Sequence, residues 1–94
     1  MTIKLFVWNA DKSRLLKAKR GISFEEVMFC IANGQLLDVL KHPNAERYGH
    51  QRIFVVRIDQ YVYLVPFVES ETEIFLKTVI PSRKATRQYL EGAA

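Results

Sequence analysis

The sequence contains a single cysteine, Cys30, and only four glycines and three prolines among its 94 residues. One cysteine excludes an intramolecular disulfide and a cysteine-based metal cluster. The scattered glycines exclude a glycine-rich phosphate-binding loop. No run of about 18 apolar residues is present, so we expect no membrane partner. The strand-like start, residues 1–8, lacks the pattern of a signal peptide, and we expect a cytoplasmic protein.

Metal and nucleophile chemistry have little support in the sequence. Its two histidines, His42 and His50, lie in one loop without the spacing of a zinc site. No serine or cysteine has the surroundings of a catalytic triad. We therefore expect neither a metal nor a cofactor.

Acidic residues are scarce at the start of the chain. The formal net charge is +4, and residues 1–22 contain six basic residues against one acidic residue. This imbalance favours an acidic partner, such as nucleic acid or an acidic protein segment.

Two helices are predicted in the first third of the chain. Asn9 is a good N-cap for the first helix, and Gly21 suits its C-terminal end. Ser23 and Glu26 have the spacing of a capping box at the start of the second helix. The residues predicted to face the core from this second helix are Phe24, Val27, Met28 and Ile31.

Strand patterns dominate the rest of the chain. Strands are predicted at 2–8, 36–40, 52–58, 61–68 and 74–80, with a two-residue turn at 59–60. Pro66 should cause a bulge or a missing ladder bond. We expect one α+β domain spanning residues 1–94, in the order β-α-α-β-β-β-β-α. The sheet should be antiparallel, with the helices packed mainly on one face.

The last predicted strand leads into a C-terminal helix through Pro81 and Ser82. Pro81 should end the strand, and Ser82 is a good N-cap. Arg83 and Lys84 then occupy the first two helical positions, where the helix dipole makes cations unfavourable by roughly 0.3–1 kcal/mol each. Free backbone N–H groups and two cations together indicate an anion site, for which phosphate is the obvious ligand. The alternative is a pair of solvated surface cations.

Further cationic residues could extend this site towards RNA chemistry. In metal-free RNA cleavage the ribose 2′-OH attacks the adjacent phosphate, and Arg or Lys stabilises the charge that develops there. The proton carrier stays open among His50, Lys77 and Tyr89. The candidate catalytic residues are Arg83, Lys77, Tyr89 and Arg52, and the candidate nucleic-acid-binding residues are Lys84, Arg87 and His50.

Three stretches resemble the BrnT toxin family, within the RelE/ParE-like superfamily of bacterial toxin–antitoxin modules. The first is Phe-Val-Trp-Asn at 6–9 with Lys12, and the second is Lys-Arg-Gly-Ile-Ser-Phe-Glu-Glu at 19–26. The third is Ile-Pro-Ser-Arg-Lys-Ala-Thr at 80–86. Relatives often carry Lys-His-Gly where this chain has Lys-Arg-Gly, and the loop at 41–51 matches poorly.

The resemblance implies a RelE-like fold with two N-terminal helices and a C-terminal helix. It also implies growth inhibition by cleavage of mRNA, and a ribbon-helix-helix antitoxin as the partner. Operator DNA would be bound only through that antitoxin. Among the candidate residues, Arg83 and Lys84 lie in a matched stretch, Lys77 lies where relatives tend to be basic, and Arg52 opens its strand in a similar way.

Two other functions remain open from the sequence. The chain could be a non-catalytic basic module that binds RNA or a protein, since no matched stretch contains a convincing general base. It could also be a toxin-like protein acting on another target, such as gyrase, because one fold supports several activities.

Overall fold

The computed structural model describes residues 4–44, 46–47, 49 and 51–91. The helices and strands in this part of the chain are β1 Leu5–Val7, α1 Ala10–Arg20, α2 Phe24–Ala32, β2 Leu36–Lys41, β3 Gln51–Ile58, β4 Tyr61–Glu69, β5 Glu73–Leu76, β6 Ile80–Pro81 and α3 Arg83–Leu90. The fold class is α+β, as predicted. None of the described helices has the length and apolar character needed to cross a membrane.

The strands form one mixed sheet in the order β1-β5-β4-β3-β2, with β6 also beside β4. A tight hairpin joins β3 to β4: Ile58 lies opposite Tyr61, and Asp59 in the turn has a φ of 58°. The antiparallel pairing predicted for the consecutive strands is confirmed for β2 to β5. The sheet as a whole is mixed, because β1 runs parallel to β5. The direction of β1 is set by the path through two helices to the far edge of the sheet, and not by a hairpin.

The predicted strand at 74–80 is interrupted by a bulge. Phe67 pairs with Leu76 and Leu64 pairs with Ile80, so three steps along β4 correspond to four steps along the partner segment. Residues 77–79 thus lie opposite Val65 and Pro66, and Pro66 has no N–H to donate to a neighbouring strand. A bulge near Pro66 was predicted. Its consequence for the partner segment was not predicted. The alternation of inward and outward side chains shifts there by one residue, so Leu76 and Val79 are both buried.

The larger core lies between the sheet and the two N-terminal helices. Phe24 and Val27 of α2 are fully buried against apolar residues of the central strands. Phe54 and Phe67 stack there with their ring centroids 3.9 Å apart. The two helices therefore cover one face of the sheet.

The C-terminal helix covers the opposite face. Ala85 of α3 packs with Val55 and Val62. Phe54 and Val56, which flank Val55 in the chain, belong to the larger core. Successive strand residues point to opposite faces, so α3 and the other two helices enclose the sheet from both sides. The expectation that the helices pack mainly on one face holds for α1 and α2 but is wrong for α3.

The helix ends follow the predicted capping residues. The side chain of Asn9 accepts the N–H of Lys12 at 2.9 Å, and Gly21 adopts the left-handed conformation, with φ 75°. Ser23 accepts the N–H of Glu26 at 3.2 Å. Only this half of the capping box is present, because the carboxylate of Glu26 pairs with Lys17.

One predicted core residue of α2 is misplaced. Met28 is 43% exposed, whereas its predicted companions Phe24 and Val27 are buried. The helix is apolar on several sides after Glu26, so the periodic pattern does not distinguish its inner face from its outer one.

Candidate nucleic-acid interface

The candidate site is built at the start of α3. The hydroxyl of Ser82 accepts the N–H of Ala85 at 3.1 Å, which caps the helix as predicted. Arg83 and Lys84 follow at the first two helical positions, and both are exposed. The first turn of α3 contains no acidic residue. The positive end of the helix dipole is thus reinforced by two cations.

The charge of these side chains is not neutralised within the described residues. No carboxylate there lies within ion-pair distance, 4.0 Å, of Arg83, Lys84 or Arg87. Arg87 is also exposed, one turn further along α3. Like charges at positions i and i+4 of a helix repel by a few tenths of a kcal/mol, and a bound anion would relieve that repulsion.

A shallow cleft of about 250 Å³ opens beside these cations, between α3 and the edge of the sheet. Its walls combine apolar and polar groups, and its lining residues are Leu40, Leu64, Ser82, Lys84, Ala85, Gln88 and Tyr89. Such a cleft could place the face of a base or sugar against apolar side chains while Lys84 contacts a phosphate.

Tyr89 is held in this cleft by an acidic residue of β2. Its hydroxyl donates a hydrogen bond to Oδ2 of Asp38 at 2.8 Å. This bond, together with partial burial and the charge of Asp38, raises the pKa of the Tyr89 phenol above its ordinary value. Tyr89 therefore remains a neutral phenol at neutral pH, which does not suit it to act as a general base.

Lys77 lies at the bulge, next to the buried Leu76. Its backbone N–H donates to the carbonyl of Pro66 at 2.9 Å, and its side chain is exposed without an ion pair among the described residues. Lys77 follows the end of β5 and lies outside the lining of the cleft.

Arg52 is separated from the other candidates. It lies over the ring of Phe67, with its Cζ atom 5.4 Å from the ring centroid, on the face covered by α1 and α2. Its guanidinium also pairs with Glu69, whose other carboxylate oxygen accepts from Lys4 at 2.7 Å. These hydrogen bonds lower the pKa of Glu69. The grouping of Arg52 with the residues of α3 is therefore wrong, because the sheet stands between them.

His50, which is predicted to bind nucleic acid, lies outside the described residues. Among the described residues, no group of three or more His, Cys, Asp or Glu side chains could hold a metal ion. The described part of the candidate site therefore consists of cations, one phenol and one carboxylate.

Two residues that matter to the site were missed from the sequence. Asp38 orients Tyr89, and its one signal was its position as the lone acid within the apolar run Leu36–Leu40. Thr86 fixes α3 to the sheet: its hydroxyl accepts the N–H of Val62 at 2.9 Å and donates to the carbonyl of Ser82 at 2.7 Å. Nothing in the sequence distinguishes Thr86 from an exposed helical threonine.

The chain was compared with models of protein families, with curated proteins and with solved structures. None of them matches. Membership of the BrnT family and the RelE-like topology stay predictions from the sequence.

Proposed function

We propose that the chain is the toxin of a bacterial type II toxin–antitoxin system, a cytoplasmic endoribonuclease that cleaves mRNA without a metal and inhibits growth. The main support is the first turn of α3. Arg83 and Lys84 extend from a capped helix start that has no acid and no ion pair among the described residues. This arrangement suits a phosphate group.

In the proposed reaction the ribose 2′-OH attacks the adjacent phosphate and gives up its proton to water. The 5′-oxygen of the next nucleotide leaves and takes a proton from water, so that a 2′,3′-cyclic phosphate is formed. Arg83 stabilises the negative charge that develops on the phosphoryl oxygens, and Lys77 contributes from the neighbouring bulge. Lys84 and Arg87 hold the flanking phosphates. The phenol of Tyr89 contacts the substrate as a neutral hydrogen-bonding group, since its pKa is raised.

The proposed partner is an antitoxin of the ribbon-helix-helix type. It would block the toxin and carry the complex to operator DNA. The exposed, uncompensated cations of α3 favour an acidic segment of that partner as the blocking element, because it would supply the missing negative charge. RNA and the antitoxin would then compete for one surface.

A second function has one observation in its favour. Tyr89, the predicted proton carrier that lines the described cleft, is a neutral phenol that donates its hydrogen bond to Asp38, so it does not accept a proton at neutral pH. A non-catalytic basic module that binds RNA or protein would need no proton acceptor.

One experiment separates the two functions. Purified chain is incubated with RNA in the presence of a chelator, and the RNA is resolved on a gel. The proposed nuclease cleaves RNA, and Arg83→Ala and Lys77→Ala reduce the rate by about 10²-fold, as expected when a charge-stabilising group is removed. Arg14→Ala, on the other face of the sheet, is the matched control and should cleave normally. Intact RNA that is bound in a salt-sensitive manner would support the binding module instead.

The same variants test the toxin function in cells. Induction of the wild-type chain should arrest growth, and Arg83→Ala should relieve the arrest at equal expression. If Arg83→Ala and Lys77→Ala both arrest growth as strongly as the wild type, the assignment of these two residues to the catalytic site is wrong.

A further inference from the structure

The sheet face on which α3 lies is only partly covered by that helix. Side chains alternate between the two faces of a sheet, and those that point into the larger core from four strands are Phe6, Phe54, Phe67 and Leu76. Several of their neighbours in the same strands point to the opposite face without belonging to either buried core, and these are Leu5, Val7, Ile53, Pro66, Val68 and Phe75. We call these six residues the open apolar face.

The strand register joins these side chains into one surface, which two rows of opposing residues cross. One row crosses β1, β5 and β4 and consists of Val7, Phe75 and Val68. The other row crosses β4, β3 and β2 and consists of Pro66, Ile53 and Leu40. Opposing side chains in neighbouring strands are close enough to contact each other. Because Leu40 also lines the cleft beside α3, the open apolar face is continuous with that cleft.

The side of this surface at β1 is the most exposed. Leu5 is 66% exposed and Phe75 is 40% exposed. On the other face of the same sheet, α1 and α2 cover the apolar residues, which is the usual arrangement for a sheet that is apolar on both sides. A contiguous apolar surface without such a cover commonly marks a contact with another protein.

Charges of opposite sign lie at the two ends of the open apolar face. At the end near β2, Lys84 lines the cleft together with Leu40. At the end near β1, Glu73 lies opposite Leu5, and both are exposed. Neither Lys84 nor Glu73 has an ion pair within the part of the chain that the structure describes. A complementary occupant therefore has apolar side chains between an acidic residue at one end and a basic residue at the other.

The dimensions of the surface fit a helix. Adjacent strands lie about 4.8 Å apart, so the path from β1 to β2 is about 19 Å long. A helix rises about 1.5 Å per residue, so about 13 residues would cover this distance. Helix α3 already crosses from β4, where Ser82 bonds to Val62, to β2, where Tyr89 bonds to Asp38. A helix from a partner would lie beside α3 and complete the layer.

We propose that the open apolar face is the docking site for an amphipathic helix of a partner protein. The apolar stripe of that helix packs on Leu5, Phe75 and the rows between them, with an acidic residue at the end over Lys84 and a basic residue at the end over Glu73. The site shares Lys84 with the candidate nucleic-acid interface. It involves no RNA and no cleavage step, so the proposal is independent of the proposed function.

Selection from a displayed library of helical peptides of about 13–16 residues tests the docking site with the full chain as target. We expect the enriched peptides to share an apolar stripe with an acidic residue at one end and a basic residue at the other. A synthetic peptide of their consensus sequence is then titrated with the chain, and fluorescence anisotropy gives its dissociation constant.

Variants of the chain locate the bound peptide. Leu5→Thr and Phe75→Thr keep residues that suit a strand but remove the apolar contact, and each should raise the dissociation constant about tenfold. Phe29→Gln is the matched control, because Phe29 is 67% exposed on α2, which covers the opposite face of the sheet. Its dissociation constant should equal that of the wild type. Circular dichroism establishes that each variant is folded.

Exchange of charges tests the orientation of the helix. Lys84→Glu and Glu73→Lys should each weaken binding of the consensus peptide about threefold, as expected for an exposed ion pair. A peptide whose acidic residue is replaced by lysine should bind Lys84→Glu more tightly than it binds the wild type. Equal binding of both peptides to both chains would contradict the proposed orientation and the charge complementarity behind it.

Four further results would overturn the proposal. The first is a selection that enriches no peptide, and the second is a consensus peptide whose binding Leu5→Thr and Phe75→Thr leave unchanged. The third is a wild-type dimer in sedimentation equilibrium that Phe75→Thr dissociates, which would assign the face to a second copy of this chain. The fourth is RNA binding that Phe75→Thr weakens, which would assign the face to nucleic acid.

Discussion

Replacement of Thr86 by Val should remove the hydroxyl whose hydrogen bonds join α3 to the sheet, and it should keep the shape of the core. Ser82 donates its N–H to the carbonyl of Val62 at 3.0 Å, which is one of the two backbone hydrogen bonds of an ordinary antiparallel pair. In place of the second bond, from the Val62 N–H to the Ser82 carbonyl, the Thr86 hydroxyl bridges the two groups. It accepts the N–H of Val62 and donates to the carbonyl of Ser82. This hydroxyl joins the helix start to the central sheet.

The cost follows from the group left without a partner. Val62 is fully buried, so its N–H cannot turn to water after the hydroxyl is removed. A buried donor without an acceptor costs about 1–3 kcal/mol. The carbonyl of Ser82 keeps its bond from the Thr86 N–H at 3.0 Å. We therefore expect a loss near 2 kcal/mol, which lowers Tm by roughly 10 °C in a domain of this size.

Thermal and urea unfolding of Thr86→Val and Thr86→Ser measure this loss. The Ser variant keeps the hydroxyl and loses one methyl group, which costs about 0.8 kcal/mol. We expect the order wild type, then Ser, then Val. If Thr86→Val proves as stable as the wild type, or more stable than Thr86→Ser, the bridging hydroxyl does not contribute as described.

Two further predictions concern titratable groups. Glu69→Gln should lower the free energy of unfolding by about 1 kcal/mol at neutral pH, a value typical of well-ordered surface ion pairs. The pKa of Glu69 is lowered by its bonds from Lys4 and Arg52, so this stabilisation is present above the ordinary carboxyl pKa and is lost as pH falls through the lowered one. Urea titrations at several pH values should show the wild type and the variant converging in acid, and a constant gap would contradict the assignment. Asp38→Asn should lower the pKa of Tyr89, because the bonded carboxylate is what chiefly raises it. An NMR titration of the Tyr89 ring measures the shift, and an unchanged midpoint would show that the contact is not maintained in solution.

Local signals in the sequence predicted much of the fold. The caps at Asn9, Ser23 and Ser82 and the glycine at position 21 locate helix ends, because each satisfies backbone groups within its own turn. The strand β3 is apolar at almost every position and is buried on both faces of the sheet, with Val55 and Val56 fully buried.

The errors arose where distant residues decide the structure. The break after Leu76 depends on Pro66 in the adjacent strand, and the parallel placement of β1 depends on the path of two helices. Neither leaves a periodic pattern of its own. Met28 was misplaced because α2 has two apolar stripes, and periodicity alone cannot choose between them.

The candidate site was predicted in part. The cations at the start of α3 were identified from a local conflict with the helix dipole, which the sequence displays directly. The tertiary contacts of the candidate residues were not predicted. Arg52 lies across the sheet in a pair with Glu69, and Asp38 of an edge strand accepts the hydrogen bond of Tyr89. Which residues share a face depends on strand pairing and on the face that α3 covers.

The salt dependence of RNA binding tests the claim that the start of α3 holds phosphate most directly. For single-stranded RNA, each phosphate contact contributes about 0.7 to the slope of log K against log salt concentration. Replacement of both Arg83 and Lys84 by Ala should therefore reduce the slope by about 1.4, whereas Arg14→Ala on α1 should leave it unchanged. Equal slopes for the wild type and the double variant would contradict the account.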